Sequence, residues 1–296
     1  MKKVLFPAVL LLCGGLLAAL PDSIVMESGS VKVRLDARKR WNINRIEWKG
    51  QLVCIDTKTA HYGMTCRPAG SPHFIGSGHA ESGKGEEVSS VRIFADGVEV
   101  TPGNEKIVGK TVGMEKISKI HEFLVKYSFE IKDDVLSERT EIFAEKDVPL
   151  RQLYCFMHPW STRFTDFHMA GSDGKKEDGT FLSDEKHRCS RFVPAISWYD
   201  RKAGIIVSTV VEEPSFSKNL QRLLWDRRWY RKDYICLVSN GVFTGRAKAV
   251  CRVKTGFRRQ KDAAEWTADA DDLCGRLQAA FSDKKSTADG LEGKAL

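Results

Sequence analysis

Two imidazoles, two carboxylates and an arginine lie on or just after one apolar stretch, Tyr154-Cys155-Phe156-Met157-His158-Pro159-Trp160. Phe164, Asp166, Phe167 and His168 follow it, with Arg163 and Asp173 close by. A neutral imidazole is poised near physiological pH to accept a proton, so His158 and His168 are candidate acid–base groups. Arg163 and Arg188 are candidates for neutralising a substrate carboxylate, with Trp160 beside them as a contact for the ligand. A strand that opens into such a loop is where a rigid β scaffold usually carries its chemistry. The blander reading has His158 ending a strand and Pro159-Trp160 plugging a loop.

A second segment, Leu224-Trp225-Asp226-Arg227-Arg228-Trp229-Tyr230-Arg231-Lys232, interleaves rings with cations. Flat rings cover the apolar face of a sugar, and arginine forks match carboxylates two bonds at a time. Trp225 and Trp229 are the candidate stacking surfaces, with Arg228 and Tyr230 as candidate catalytic groups. Read as one strand, Trp225, Arg227, Trp229 and Arg231 share a face, which puts Arg228 and Tyr230 together on the other. That face could equally be part core and part solvated surface. A third candidate is Gly76-Ser77-Gly78-His79-Ala80-Glu81, where glycine lets backbone approach a ligand and His79 sits near Glu81 and Glu86.

Other chemistries lack their signatures. There is no G-x-S-x-G elbow, no H-E-x-x-H, no phosphate-cradling glycine loop and no aspartate-rich calcium spacing. A metal held by His79, His158 and His168 is demanded by no spacing, and no cofactor is identified. Basic residues meet aromatics only locally, which with an export signal argues against nucleic acid as partner.

The elements that must position these groups are mostly strands. Val31 to Leu35 alternates strictly, and Ile46–Trp48 with Leu52–Ile55 reads as a hairpin. Ala95-Asp96-Gly97 is a hairpin turn, and His121–Ile131 returns through Lys132-Asp133-Asp134 into Val135–Ala144. Leu150–Met157 is another strand, followed by a polar loop to about Arg191. Hairpins at Val193–Val211 and strands at Tyr234–Val238 and Ala247–Val253 complete the run. Short turns without intervening helices predict an all-β antiparallel sandwich. One helix is predicted over Ala268–Phe281, with Leu273, Leu277 and Phe281 on one side.

Lys2 and Lys3 precede an apolar run to Leu20, with Ala18-Ala19 ahead of Pro21, which reads as a cleavable export signal over residues 1–20. A single domain over 21–282 and a polar tail over 283–296 follow, expected to be secreted or periplasmic with no membrane contact once cleaved. Loss of the two lysines takes the excess of 47 basic over 39 acidic residues from +8 to +6, compatible with an acidic ligand. Seven cysteines remain, with no C-x-x-C pair. Cys54 with Cys66, and Cys236 with Cys251, could meet across hairpins, but at this length buried free thiols are the simpler expectation.

The stretch Trp41-Asn42-Ile43-Asn44-Arg45-Ile46-Glu47-Trp48, the Gly76–His79 loop, the Tyr154–Trp160 strand and the aromatic-basic segment to Tyr234 follow in an order that resembles galactose mutarotases. The same large β-sandwich also occurs in several polysaccharide lyases. The resemblance spans about residues 30–260 and lies in strand rhythm and aromatic placement. It implies sugar binding on a concave sheet, with a Tyr or His base and an Arg, Asn or His neutraliser, and singles out His158, Tyr230 and Arg228. The expected function is a lyase that cleaves an acidic, uronic-acid polysaccharide by β-elimination. A base takes the proton beside the carboxylate while a cation steadies the developing charge. The alternatives are a non-catalytic glycan-binding sandwich and a sugar mutarotase, which would need a His–Glu pair such as His79 with Glu81 or Glu86.

Overall fold

A computed structural model describes residues 20–55, 60–80, 85–101, 106–212 and 220–288. Two sheets stack face to face. The first has twelve strands and runs from Lys106–Val108 through Ser23–Ser28, Val31–Asp36, Asn42–Trp48 and Gln51–Ile55 to Val148–Trp160. It continues through Arg231–Phe243 and Gln221–Asp226 to His187–Arg191, and Thr65–Pro68, Ile75–Gly76 and His79–Ala80 attach beside Val148–Trp160. All its pairings are antiparallel except Ser23–Ser28 with Lys106–Val108. The second sheet has ten strands, all antiparallel, built around Ile205–Val211, Lys248–Arg259, Val135–Phe143, Phe123–Lys132 and Thr111–Ile120.

The tight turns form where the sequence marks them. Lys49-Gly50, Asp96-Gly97 and Asp133-Asp134 all take positive φ at both central residues, the twist that closes a two-residue hairpin. Inward-facing residues of both sheets make one large apolar core, with Ile24, Leu35, Ile46, Phe123, Phe156, Trp160 and Trp198 among its members. The seven cysteines of the described residues are buried.

The C-terminal helix spans Trp266–Ala288, longer at both ends than the expected Ala268–Phe281. It lies on the outer face of the second sheet, where Trp266, Ala270, Leu273 and Leu277 pack against Tyr199, Ile206 and Val210. Trp266 stacks flat on Tyr199, ring centres 5.0 Å apart. The residues expected to form the export signal, apart from Leu20, and the tail from residue 289 lie outside those described.

Two further expectations are corrected. The polar loop after Trp160 contains strands Asp166–Ala170, Lys176–Thr180 and His187–Arg191. The Trp225–Lys232 segment is a hairpin tip, since Trp225 pairs with Lys232 and Asp226 with Arg231. The Asp226 carboxylate holds that tip by accepting from the Leu182 and Ser183 amides and from Arg231 at 2.7–3.1 Å.

Candidate functional site

Register decides which side chains share a face, because directly paired residues of an antiparallel ladder point the same way. Met157 pairs with Tyr234 and Tyr154 with Cys236, while Leu223 pairs with Tyr234 and Trp225 with Lys232. Met157, Tyr154 and Cys236 form a cluster separate from the main core, with Phe74, Leu223 and Tyr234 packed on it. These residues therefore occupy the outer face of the first sheet. His158 pairs with Asp233 and Phe156 with Ile235, on the inner face.

The switch between faces comes from a bulge. Register shifts between Leu153 and Tyr154, where Leu237 is the extra residue of the facing strand, and shifts back between Tyr154 and Phe156, where Cys155 is the extra residue. Without it, Tyr154 and His158 would share a face by simple alternation. With it, Tyr154 turns outward while Phe156, His158 and Trp160 turn into the sandwich.

On the outer face the rings form a continuous row. Phe74 lies 5.9 Å from Tyr154, Tyr154 lies 4.7 Å from Tyr234, and Tyr234 lies 6.5 Å from Trp225. His187 meets the Trp225 edge at 5.3 Å. At the other end His79 tilts on Phe74 at 5.5 Å and meets His61 edge-on at 4.5 Å. Gly78 has φ +72 and lies against the His61 ring, so any side chain there would be both strained and blocked. The glycine loop thus seats one imidazole beside another.

Cations sit over the rings. Arg227 covers Trp225 at 4.1 Å, Arg67 lies 5.8 Å from Phe74, and the Lys232 ammonium lies 5.6 and 5.4 Å from the Tyr230 and Tyr234 rings. Lys232 also donates to the His61 carbonyl, and Glu185 pairs with Arg227 at 2.8 Å. Burial pushes the Tyr154, Tyr230 and Tyr234 phenols above their ordinary range, which keeps them protonated as hydrogen-bond donors near neutrality. Burial also lowers the His187 imidazole, favouring its neutral, proton-accepting form.

Of the residues singled out from sequence, His79, Tyr230 and Trp225 belong to this face. Arg228 and Trp229 sit at its rim on the hairpin tip, where Trp229 is 69% exposed and the Arg228 amide donates to Glu185. The others lie elsewhere. His158 is sealed in the core, with Nε2 3.1 Å from Glu138, whose other oxygen accepts from Tyr127. Trp160 is buried against Trp198 at 5.3 Å. His168 is buried at the opposite surface of the molecule, between Asp178 and the Asp271 of the helix. Arg163 is held by Asp200 at 3.0 Å and Gln51 at 2.9 Å. Arg188 is held by Asp226 and Asp184 at 2.5 and 2.7 Å. Glu86 is buried and committed to Lys116, not to His79, and Glu81 lies outside the described residues.

His79, His158 and His168 thus occupy three separate layers, which rules out one metal shared among them. No cluster of three or more His, Cys, Asp or Glu fit for a metal exists among the described residues. Sequence reasoning did not single out Tyr234, Lys232, Phe74, Arg67, Arg227 and His187. The alternation Lys232, Tyr234, Cys236 carried part of that signal.

His158 in this position supports the fold. His158→Ala is expected to cost about 2–4 kcal/mol in urea unfolding, through lost core volume and an abandoned Glu138 carboxylate. Ligand affinity of the folded variant should match the parent. A loss of binding with unchanged stability would contradict the placement.

The sequence matches no protein-family model and no curated protein. Among solved structures the chain is similar to the Slr1438 protein of Synechocystis sp. PCC 6803, with TM-score 0.54 and 10% identity, over 81% of this chain and 96% of that one. It is also similar to a galactose mutarotase related enzyme of Lactobacillus acidophilus, with TM-score 0.43 and 7% identity, over 81% and 98% of the two chains. The GH36 α-galactosidase AgaA of Geobacillus stearothermophilus follows, with TM-score 0.49 and 9% identity over 80% of this chain and 41% of that one. The chain shares the two-sheet sandwich fold of the Slr1438 protein. At these identities the likeness extends to the fold and carries no activity across.

Proposed function

We propose that the outer face of the first sheet binds carbohydrate, and that the preferred ligand carries carboxylate or sulfate groups. The observation that carries this is the row Phe74, Tyr154, Tyr234, Trp225 with Arg67, Lys232 and Arg227 laid over it. A row of rings suits successive sugar rings, and the guanidinium groups lying over it suit anions. The reading also has the chain exported, since residues 1–20 read as a leader and polymeric glycans lie outside the cell.

A glycan array followed by calorimetry on alginate, pectate, glucuronan and glycosaminoglycan fragments tests it. Trp225→Ala and Tyr234→Ala should each weaken binding about tenfold or more, or about 1.4 kcal/mol. Trp229→Ala, at the exposed rim, should change it less than threefold. No binding by the folded protein, or equal binding by all three variants, would defeat the proposal.

Turnover of the bound sugar is the second reading. It is favoured by protonated phenols standing on one face with a neutral imidazole at His187, donors and an acceptor on either side of a ring. Mutarotation fits this division better than lyase chemistry, because no phenol here is lowered toward a base and His158 is sealed. Polarimetry on free hexoses and uronic acids, beside absorbance for unsaturated products from the polymers, separates the two.

A further inference from the structure

On the far side of the sandwich, a cavity of about 530 Å³ opens between the C-terminal helix and the outer face of the second sheet. Phe192, Pro194 and Val211 line the sheet side. From the helix come Asp271, Gly275, Gln278 and Phe281, one stripe at helical spacing. The stripe lies beside Trp266, Ala270, Leu273 and Leu277, which hold the helix to the sheet, and Phe281 packs against that cluster. The volume and the mixture of rings with a few polar groups are those of a small-molecule site.

Gly275 is the second observation. Glycine inside a helix costs about 1 kcal/mol relative to alanine. A Cβ at Gly275 would meet nothing within 4 Å. At Gly256 the reason for glycine is plain, since a Cβ would press on Leu273 and Leu277 at 3.0–3.2 Å. At Gly275 nothing among the described residues requires it, and the bare backbone faces the cavity.

The polar groups narrow the ligand. Asp271 already accepts from His168 at 2.9 Å and Lys176 at 2.6 Å, and Glu212 accepts from Arg252 at 2.5 Å. Their charge is answered, so they offer no net pull to a cation. The Asp271 carboxylate still has unused lone pairs, fixed in place by those partners. Fixed acceptors, with Ser172 and Gln278 as hydroxyl and amide partners beside Phe192 and Phe281, suit hydroxyl donors on a compact ring.

We propose that this cavity is a second ligand site, taking an uncharged hydroxylated ring compound of hexose size, free or as a glycoside. It is independent of the aromatic row on the other sheet. Phenyl glucoside, phenyl galactoside and phenyl mannoside are the probes, followed by saturation-transfer NMR and titration of the full chain. At least one should bind, and Gly275→Leu should weaken it tenfold or more, because the leucine enters the cavity. Leucine is the better helix former, so Gly275→Leu should unfold at the same temperature or higher. Gln278→Ala, at an exposed position, should weaken binding about threefold with no change in folding. Trp225→Ala should leave it unchanged. Absence of binding for all three probes, or full binding by Gly275→Leu, would overturn the proposal.

Discussion

Asp233→Ala is expected to lower stability by about 3–5 kcal/mol, since it strands a buried arginine. Arg222 and Asp233 form a two-bond fork at 2.9 and 2.6 Å, with side chains 1% and 0% exposed. The remaining guanidinium nitrogen reaches the carbonyls of Val193, Pro194 and Thr209 at 3.3–3.4 Å, so the pair joins the two sheets. Removing the carboxylate leaves that positive charge desolvated against Trp198. Replacing both partners with apolar residues removes the charge as well as its answer. The double variant Arg222→Met, Asp233→Leu should therefore recover most of the loss. Urea unfolding of the parent, the single variant and the double variant reads the cycle directly. A single variant within 1 kcal/mol of the parent would show that the guanidinium finds water. The pair also bears on function. Asp233 lies between Lys232 and Tyr234, and Arg222 beside Leu223, so the strands carrying the outer row are clamped from their inner side.

How far the sequence exposed this arrangement depended on how local each determinant was. The hairpins at Lys49-Gly50, Asp96-Gly97 and Asp133-Asp134 were legible because the turn residues themselves accept positive φ. The helix was legible from its apolar spacing. The face of His158 was not, because the extra residue at Cys155 puts Tyr154 and His158 on opposite faces despite their even spacing, and no residue type there announces a bulge. The tip at Arg227–Tyr230 was missed for a related reason. It contains no Gly, Pro or Asn, and it is closed from outside by the Asp226 carboxylate and the amides of Leu182 and Ser183. His168 looked available in the sequence, while its partner Asp271 stands 103 residues further on. The aromatic character of the site could be read; its membership could not, since that follows from the pairing of four separated segments.

Lys116→Met should prove comparably damaging, by about 3–5 kcal/mol at pH 7, and its cost should shrink in acid. Lys116 and Glu86 are 1% and 2% exposed and 2.8 Å apart. Asn42, Ser77 and Ser118 complete the carboxylate's partners. Burial alone would raise the Glu86 carboxyl, but the Lys116 ammonium and these hydrogen bonds outweigh it, so it lies below its ordinary 4.5. A carboxyl lowered in the folded state adds stability that is complete above about pH 4.5 and is lost as pH falls through the folded value. Without Lys116 the largest lowering influence is gone and burial prevails, which lifts the carboxyl above its unfolded value. The folded variant then binds a proton more readily than its unfolded chain, and gains stability as pH falls from 7 toward 4.5. The gap between parent and variant should therefore narrow across that range. Burial lowers the Lys116 ammonium from its ordinary 10.5, partly offset by the Glu86 carboxylate beside it. Unfolding curves at pH 7 and pH 4.5 decide the matter, with Glu86→Gln in the Lys116→Met background as the control that should remove the pH dependence. A gap that stays constant would mean that Glu86 reaches solvent once the ammonium is gone.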